Sequence, residues 1–504
     1  MLNRYLEKSI KNKLELFSIL HSTNPIAMKD LLSFFPMSIN TINALINELN
    51  DDFTGLAVIQ KSTSGFSIHL YEETTFMELL HAIYQDSVVL KCLKFMILND
   101  RNCSLAPFIE ENYIAKSSVY RIKQNCCEYL QQIGLDIRNN KVVGEEYRIR
   151  YLIALLHYKY GINCYEITNE EINMIRNFIL STNKSIDRAY LDMTPNEYGY
   201  FEYLFFLAWK RIDYMTEPIC SQRLETCKRF FVYARLKDAL KNTLEPLLQV
   251  HFSEQDFDYF YLIYCSTNSC MFADQWTQEE LSYLHATAFE DKEYCDSYLR
   301  IKKILGEKIA GSHVLQSTLI YFSKKCLLEL QCLIPDKNFY LYSKRSQLTR
   351  LIVQIIEQLL SQWKTDNAIR YEIDKDHVFY LALQIEQIIK KSLPPVPLFI
   401  LSELTSELEV ISNYLRKFFP PERVEIKPFL LGAEDKESIC SQKRSVIVTN
   451  KKFKYLMENW KLEESNTVLL ISVEVNTPEL TVIHEAVTNY ETEGFLDFVS
   501  QMQE

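Results

Sequence analysis

Apolar positions at helical spacing run through most of this chain, broken by short stretches of alternation. In residues 1–24, Leu6, Ile10, Leu14 and Ile19 or Leu20 share one face of a predicted helix. A short helix is expected over 27–35, and Pro36 and Met37 separate it from a third. Proline cannot continue a helix, and Ser38 offers a hydroxyl to cap a new one. Beyond Ser38, Ile39, Ile42, Leu45, Ile46 and Leu49 are expected to face the core, leaving Asn40, Thr41 and Asn43 outward. Residues 55–70 read as two strands around a Ser/Gly turn. Helix, turn, helix and hairpin in this order predict a winged helix-turn-helix over 1–75.

The same order returns more strongly after a linking helix expected over 76–98. A short apolar helix begins near Ser104, and a longer one follows, opened by Ser117 and Ser118 and running to Gln131. Val119, Ile122 and Cys126 point inward by spacing, so Ser117, Ser118, Tyr120, Arg121, Lys123 and Gln124 are free to meet DNA. A hairpin over 134–150 carries Arg138 and Lys141 at its tip. In such a module the second helix lies in the major groove. Arg121 suits a guanine edge or a phosphate, whereas Lys123, Arg138 and Lys141 suit phosphates, which position without specifying.

From about residue 166 to 393 the pattern is helix after helix, in two sets of similar size that divide near 270–290. The segments 168–180, 196–215, 224–244 and 255–266 form the first set, and 302–309, 314–333, 344–364 and 375–391 the second. At Pro394-Pro-Val-Pro397 the composition changes. Strands expected at 397–401, 424–431, 445–448 and 467–473 alternate with helices at 403–418, 435–442 and 453–460, and a last helix covers 494–501. Alternating strand and helix predicts an α/β domain with a parallel sheet. The fold class is thus mainly α and multidomain, with expected units at 1–75, 76–165, 166–280, 281–393 and 394–504.

Charge sharpens this division. The chain of 504 residues carries a net −11, yet residues 1–160 hold 17 Lys and Arg against 17 Asp and Glu, so the excess acid lies in 161–504. Any DNA contact belongs to the N-terminal third. The acidic pairs Asp51-Asp52 and Glu72-Glu73 read as solvated loops. The 13 cysteines are odd in number and show no C-x-x-C spacing, which suits reduced core thiols in a cytoplasmic protein. No signal peptide or membrane-spanning run is evident. No cofactor is expected, since zinc-ligand spacing, a Gly-rich phosphate loop and a Ser/His/Asp arrangement are all lacking.

Ser117-Ser-Val-Tyr-Arg-Ile-Lys123 and Val143-Gly-Glu-Glu-Tyr-Arg-Ile-Arg150, set within this order of units, resemble the Mga-like transcriptional regulators of Gram-positive bacteria. The resemblance implies promoter DNA as partner, activation of transcription and a homodimer. It further implies that the two helical bundles are regulation domains of the phosphoenolpyruvate–sugar phosphotransferase system, met by its general phosphotransferase proteins. The C-terminal unit is then EIIB-like and helps the protein dimerise. Against that pattern, Asp376-His-Val-Phe-Tyr-Leu-Ala-Leu-Gln384 places Gln384 where the family's phosphoacceptor histidine stands. Asn196-Glu-Tyr-Gly-Tyr-Phe-Glu-Tyr-Leu204 places Leu204 there, and Ser402 begins the loop that carries a nucleophilic cysteine in a working EIIB. His313 and His377 remain candidates for regulatory phosphorylation.

Two other classes stay open at this level. A phosphotransfer carrier would need an acceptor at Leu204, Gln384 or Ser402. An RNA-binding antiterminator also carries paired regulation domains but begins with a small all-β module, whereas residues 1–60 here are largely helical.

Overall fold

The computed structural model describes residues 1–503 except Pro36, 101–103, Thr194, Thr216, Asn268, 336–346, Ala368, 370–371 and Val473, and leaves out the side chains of Lys116, 192–197, Lys308, 347–348 and 502–503. The chain is mainly helical, with a helix-turn-helix region at its N-terminal end and a four-stranded parallel sheet in its C-terminal α/β domain. It divides into two compact units, one of Met1–Asp296, Leu319–Arg345 and Leu360–Leu381, the other of Ser297–Thr318, Ser346–Leu359 and Ala382–Glu504.

The first unit opens with α1 (Lys8–Ser22), α2 (Met28–Phe34) and α3 (Ile39–Asp52), then the hairpin β1 (Ala57–Ser62) and β2 (Gly65–Leu70). Ser38 caps α3 as expected, its hydroxyl accepting the Thr41 N–H. Ile39 departs from expectation: it is 50% exposed, because as the first residue of α3 it lies beyond the reach of the stripe formed by Ile42, Leu45, Ile46 and Leu49. Asp52 also departs. It is the last residue of α3 and is half-buried in an ion pair with Lys13 at 2.8 Å. The expected role of Pro36 lies outside the described residues.

The linking helix is two helices, α4 (Phe76–Gln85) and α5 (Val88–Leu98). Thr75 and Glu78 close a capping box at the start of α4. Ser87 starts α5 afresh, its Oγ donating to Glu7 Oε2 at 2.8 Å while Glu7 Oε1 accepts the Val89 N–H at 2.8 Å. A carboxylate thus satisfies an N–H that a helix start leaves open, which is why the apolar run breaks there. Next come α6 (Ala106–Glu111), α7 (Lys116–Gln132), the hairpin β3 (Asp136–Arg138) and β4 (Lys141–Val143), and α8 (Glu146–Tyr160).

The helical region follows as α9 (Asn169–Thr182), α10 (Arg188–Met193), α11 (Pro195–Lys210), α12 (Gln222–Cys227), α13 (Phe231–Ala239), α14 (Glu245–Leu248), α15 (Glu254–Ser266) and α16 (Gln278–Glu290). Capping boxes of the form Thr/Ser-x-x-Glu/Asp at Thr168, Ser253 and Thr277 set three of these starts. The helix expected over 224–244 is broken between α12 and α13, and a π-turn at Leu240–Leu244 carries α13 into α14. Beyond it lie α17 (Lys292–Leu305), α18 (Glu307–Ala310), α19 (His313–Lys325), α20 (Gln347–Asp366) and α21 (Lys375–Ser392).

The α/β domain contains β5 (Val396–Ser402), α22 (Thr405–Leu415), β6 (Val424–Leu430), α23 (Lys436–Cys440), β7 (Val446–Asn450), α24 (Lys454–Asn459), β8 (Thr467–Ile471) and α25 (Thr477–Gln503). The strand order is β6-β5-β7-β8, all parallel. On β5, Val396, Leu398 and Ile400 join one core with α22 and α25, while Phe399 and Leu401 join another with Ile439 and Met457. A sheet covered on both faces needs such an unbroken apolar strand. The last helix is much longer than the expected 494–501. Its Thr- and Glu-rich first half hides a sparse stripe of Ile483, Ala486 and Val487 that continues to Phe495 and Val499.

Candidate nucleic-acid interface

The second winged module is built around α7. Pro107 sits in the first turn of α6, and buried Phe108 anchors that helix. The turn closes as Ile114 N–H donates to Ile109 O at 3.1 Å, with Tyr113 in the left-handed region at φ 52°. Ala115 precedes α7 without any side-chain cap, so Ser117 and Ser118 stand in its first turn rather than before it. Val119, Cys126, Tyr129 and Leu130 are buried, and Ile122 packs beside them. The opposite face at i, i+3, i+4 and i+7 is Ser117, Tyr120, Arg121 and Gln124, all exposed. Ser118 is half-buried, and Gln124 donates to Glu128 at 2.9 Å.

The wing closes on a two-residue turn. Arg138 pairs with Lys141, and the intervening Asn139 and Asn140 lie at φ 49° and 58°. Two positive φ values define the turn whose twist matches flanking strands, and asparagine tolerates them better than most side chains. The tip is tied down from three sides. Lys123 Nζ donates to Asn140 Oδ1 at 2.8 Å, Asn99 Nδ2 donates to Asn140 O at 2.9 Å, and Lys141 Nζ donates to Asp100 Oδ1 at 2.7 Å. Burial alone would raise the Asp100 carboxyl, but its bonds from Lys141 and Tyr214 hold it below the usual range. Lys123 and Lys141 are therefore partly spent on shaping the wing, while Arg121 and Arg138 stay exposed.

The arginines of the Val143–Arg150 motif do a different job. Arg148 donates to Glu145 at 2.8 Å and to the carbonyls of Ile133 and Leu328. Arg150 is fully buried, donating to Glu146 Oε1 at 3.2 Å and to Arg211 O at 2.7 Å, with its guanidinium 4.5 Å from the Tyr259 ring centroid. Arg211 holds both oxygens of Glu146, at 2.7 and 2.9 Å, and donates to the Tyr165 hydroxyl at 2.7 Å. Its guanidinium lies 4.1 Å from the ring centroid of Tyr214, whose hydroxyl donates to Asp100 at 2.7 Å. Tyr259 donates to Leu204 O at 3.1 Å. A continuous set of contacts thus runs from the wing through Asp100, Tyr214, Arg211, Glu146 and Arg150 to α15 and α11. The motif's spacing gave no sign that its charges face inward.

In the first module, Asn40 and Thr41 are exposed and Asn43 is half-buried. Thr41 Oγ1 shares a 2.8 Å hydrogen bond with Ser38 Oγ, and α3 contains no lysine or arginine.

The positions expected from the resemblance to accept phosphate, Leu204, Gln384 and Ser402, carry neither histidine nor cysteine. Leu204 is buried and Gln384 half-buried. His377 is buried, with Nδ1 3.2 Å from Lys325 Nζ and Nε2 2.9 Å from the carbonyl oxygens of Gln331 and Ile334. His313 is exposed at the start of α19. Ser402 is buried and donates to the Glu407 carboxylate, while its Oγ accepts the Leu404 N–H at 3.2 Å. Cys440 is exposed. No helix among the described residues is long and apolar enough to cross a membrane.

Residues 72–157, a span from just before α4 into α8, match the family model of the Mga helix-turn-helix domain. A search of curated proteins finds no match to the chain. The matched domain implies a DNA-binding transcriptional regulator rather than an enzyme.

Proposed function

We propose that this chain activates transcription by reading promoter DNA with α7 and the β3–β4 wing, under control of its helical region and of self-association through residues 394–504. The observation that carries the reading is the exposed face Ser117, Tyr120, Arg121 and Gln124 on a helix whose other face is buried in the winged module. Such a helix suits the major groove, and Arg138 on the adjoining wing suits a phosphate. Asn40, Thr41 and Asn43 give the first module an accessory, uncharged contact. The helices over 166–280 and 281–393 serve as phosphotransferase-type regulation domains, and the contacts from Asp100 to Tyr259 offer a route by which they bias the wing.

The test of DNA reading is duplex binding by fluorescence anisotropy as a function of salt. Removing one cation from a phosphate lowers the slope of log affinity against log salt by about one unit. Arg138→Ala is expected to lower the slope by about that amount across all sequences. An unchanged slope and affinity in the double variant Arg121→Ala, Arg138→Ala would refute the assignment of α7 and the wing. For control, exposed His313 is a better phosphoryl acceptor than enclosed His377. Incubation with phosphoenolpyruvate and the general phosphotransferase proteins should label the wild type and not His313→Ala. Equal labelling of both would reject His313. Self-association is checked by sedimentation of the full chain across concentration, where a monomer throughout would remove it from the mechanism.

A further inference from the structure

Among the described residues, Tyr113 is the most exposed large apolar or aromatic side chain, at 96%, and Tyr120 stands at 79%. Folding explains neither. Tyr113 occupies a left-handed backbone position where asparagine or glycine costs less, and its ring packs against almost nothing. Tyr120 points away from the buried stripe of α7. Both lie in the short stretch from the turn through the first half of α7, where a docked helix-turn-helix meets the duplex.

Charge makes the same point from the other side. Residues 104–145 carry five Lys and Arg against five Asp and Glu, and Glu110 and Glu111 are exposed on α6. Lys123 and Lys141 are engaged within the wing. Counterion release, the usual source of DNA affinity, scales with the number of phosphates neutralised, and few cations here are free to do it. Contacts that carry no charge must therefore add to what Arg121 and Arg138 supply.

We infer that Tyr113 and Tyr120 supply those contacts: Tyr113 donates its hydroxyl to a backbone phosphate, and Tyr120 lays its ring against a thymine methyl in the major groove. The inference rests on the DNA-reading function proposed above and specifies its chemistry. Tyrosine offers a rigid apolar face with a polar tip, and an apolar side chain against the thymine methyl is a recognised form of base readout. The module therefore prefers a thymine-containing groove and binds with a shallow salt dependence.

The test uses the full chain and a short duplex chosen by in vitro selection with that chain, beside the same duplex with every thymine replaced by uracil. Loss of one buried methyl corresponds to about a four-fold loss of affinity. Wild type should bind the uracil duplex about four-fold more weakly or worse, and Tyr120→Ala should bind the two alike. Tyr113→Phe should weaken both duplexes by the same several-fold factor, with the salt slope moved by much less than the change in Arg121→Ala. Since both side chains are exposed, circular dichroism should show every variant folded. If wild type selects no duplex at any salt, the DNA-reading function falls and this inference with it. If wild type binds but discriminates thymine from uracil no better than Tyr120→Ala, or if Tyr113→Phe binds as wild type, the inference alone falls.

Discussion

Glu146→Ala is the sharpest test of how the second winged module is fastened. The Glu146 carboxylate accepts two bonds from Arg211, at 2.7 and 2.9 Å, and one from Arg150, at 3.2 Å. Both guanidiniums are almost wholly buried. Removing one partner of a buried ion pair costs about 3–5 kcal/mol, because the survivor stays desolvated and uncompensated. Here two cations survive, which pushes the cost to the upper end. It goes no higher, because Arg150 keeps Arg211 O at 2.7 Å and the Tyr259 ring, and Arg211 keeps Tyr165 and Tyr214. About 4–5 kcal/mol is therefore expected. Glu146→Gln retains one acceptor oxygen without the charge and should cost about half as much. A chain with several cores does not unfold in one step, so a single unfolding free energy is the wrong readout. Hydrogen exchange resolves the matter locally: amides of α8 and of the C-terminal turn of α11 should exchange faster by a factor of about a thousand, since each 1.4 kcal/mol is tenfold. The wing should loosen too, since Arg211 supports Tyr214 and hence Asp100, the anchor of Lys141. If Glu146→Ala left exchange in α8 and α11 within about three-fold of wild type, the network would be ornamental and the route from bundle to wing would lose its physical basis.

Further outcomes follow from single contacts. Gly65 sits at φ +128°, and a Cβ there would lie 2.2 Å from Ile26 O; Gly65→Ala should destabilise the first module by about 3 kcal/mol or more, and a thermal midpoint within a degree or two of wild type would refute that. Burial holds the His157 imidazole down to about 4, beside its bond to Asn163, so the unfolded chain takes up a proton first as pH falls. Stability should thus be intact above about pH 6.5 and decline by about 3 kcal/mol toward pH 4, and His157→Phe should flatten part of that decline in thermal melts. Tyr214→Phe removes the hydroxyl that supports Asp100 and should speed amide exchange at Asn140 and Lys141 by several-fold while leaving α15 unchanged.

The order of elements was legible because punctuation in this chain is local. Thr75, Thr168 and Thr277 each stand three residues before a glutamate that closes a capping box, and the paired asparagines at 139 and 140 fit the turn that their positive φ values require. Where the reading failed, a distant residue decided the outcome. The break between α4 and α5 depends on Glu7, some eighty residues away, and the partial shielding of Asp52 depends on Lys13. The long α25 was hidden because its core contacts are sparse until a sheet is present to receive Ile483 and Val487.

The same distinction governs the candidate interface. Periodicity on α7 correctly separates an inner from an outer face, since both lie within one helix. It cannot say whether an outward lysine is free, and Lys123 and Lys141 are held by Asn140 and Asp100 from other elements. Nor can it say which arginines are buried. Arg148 and Arg150 read as a basic motif, yet each has its charge met by a glutamate within one turn and donates to a carbonyl far along the chain. Tyr113 was passed over for the opposite reason. A tyrosine after an acidic pair carries no sign of exposure until the turn that projects it is known. Spacing thus leaves Lys123 and Lys141 free for DNA although both are engaged within the wing, and it gives no sign of the exposed Tyr113. The discriminating quantity is therefore the steepness of the salt dependence: a steep slope would return the interface to its lysines, and a shallow one would leave it with its tyrosines.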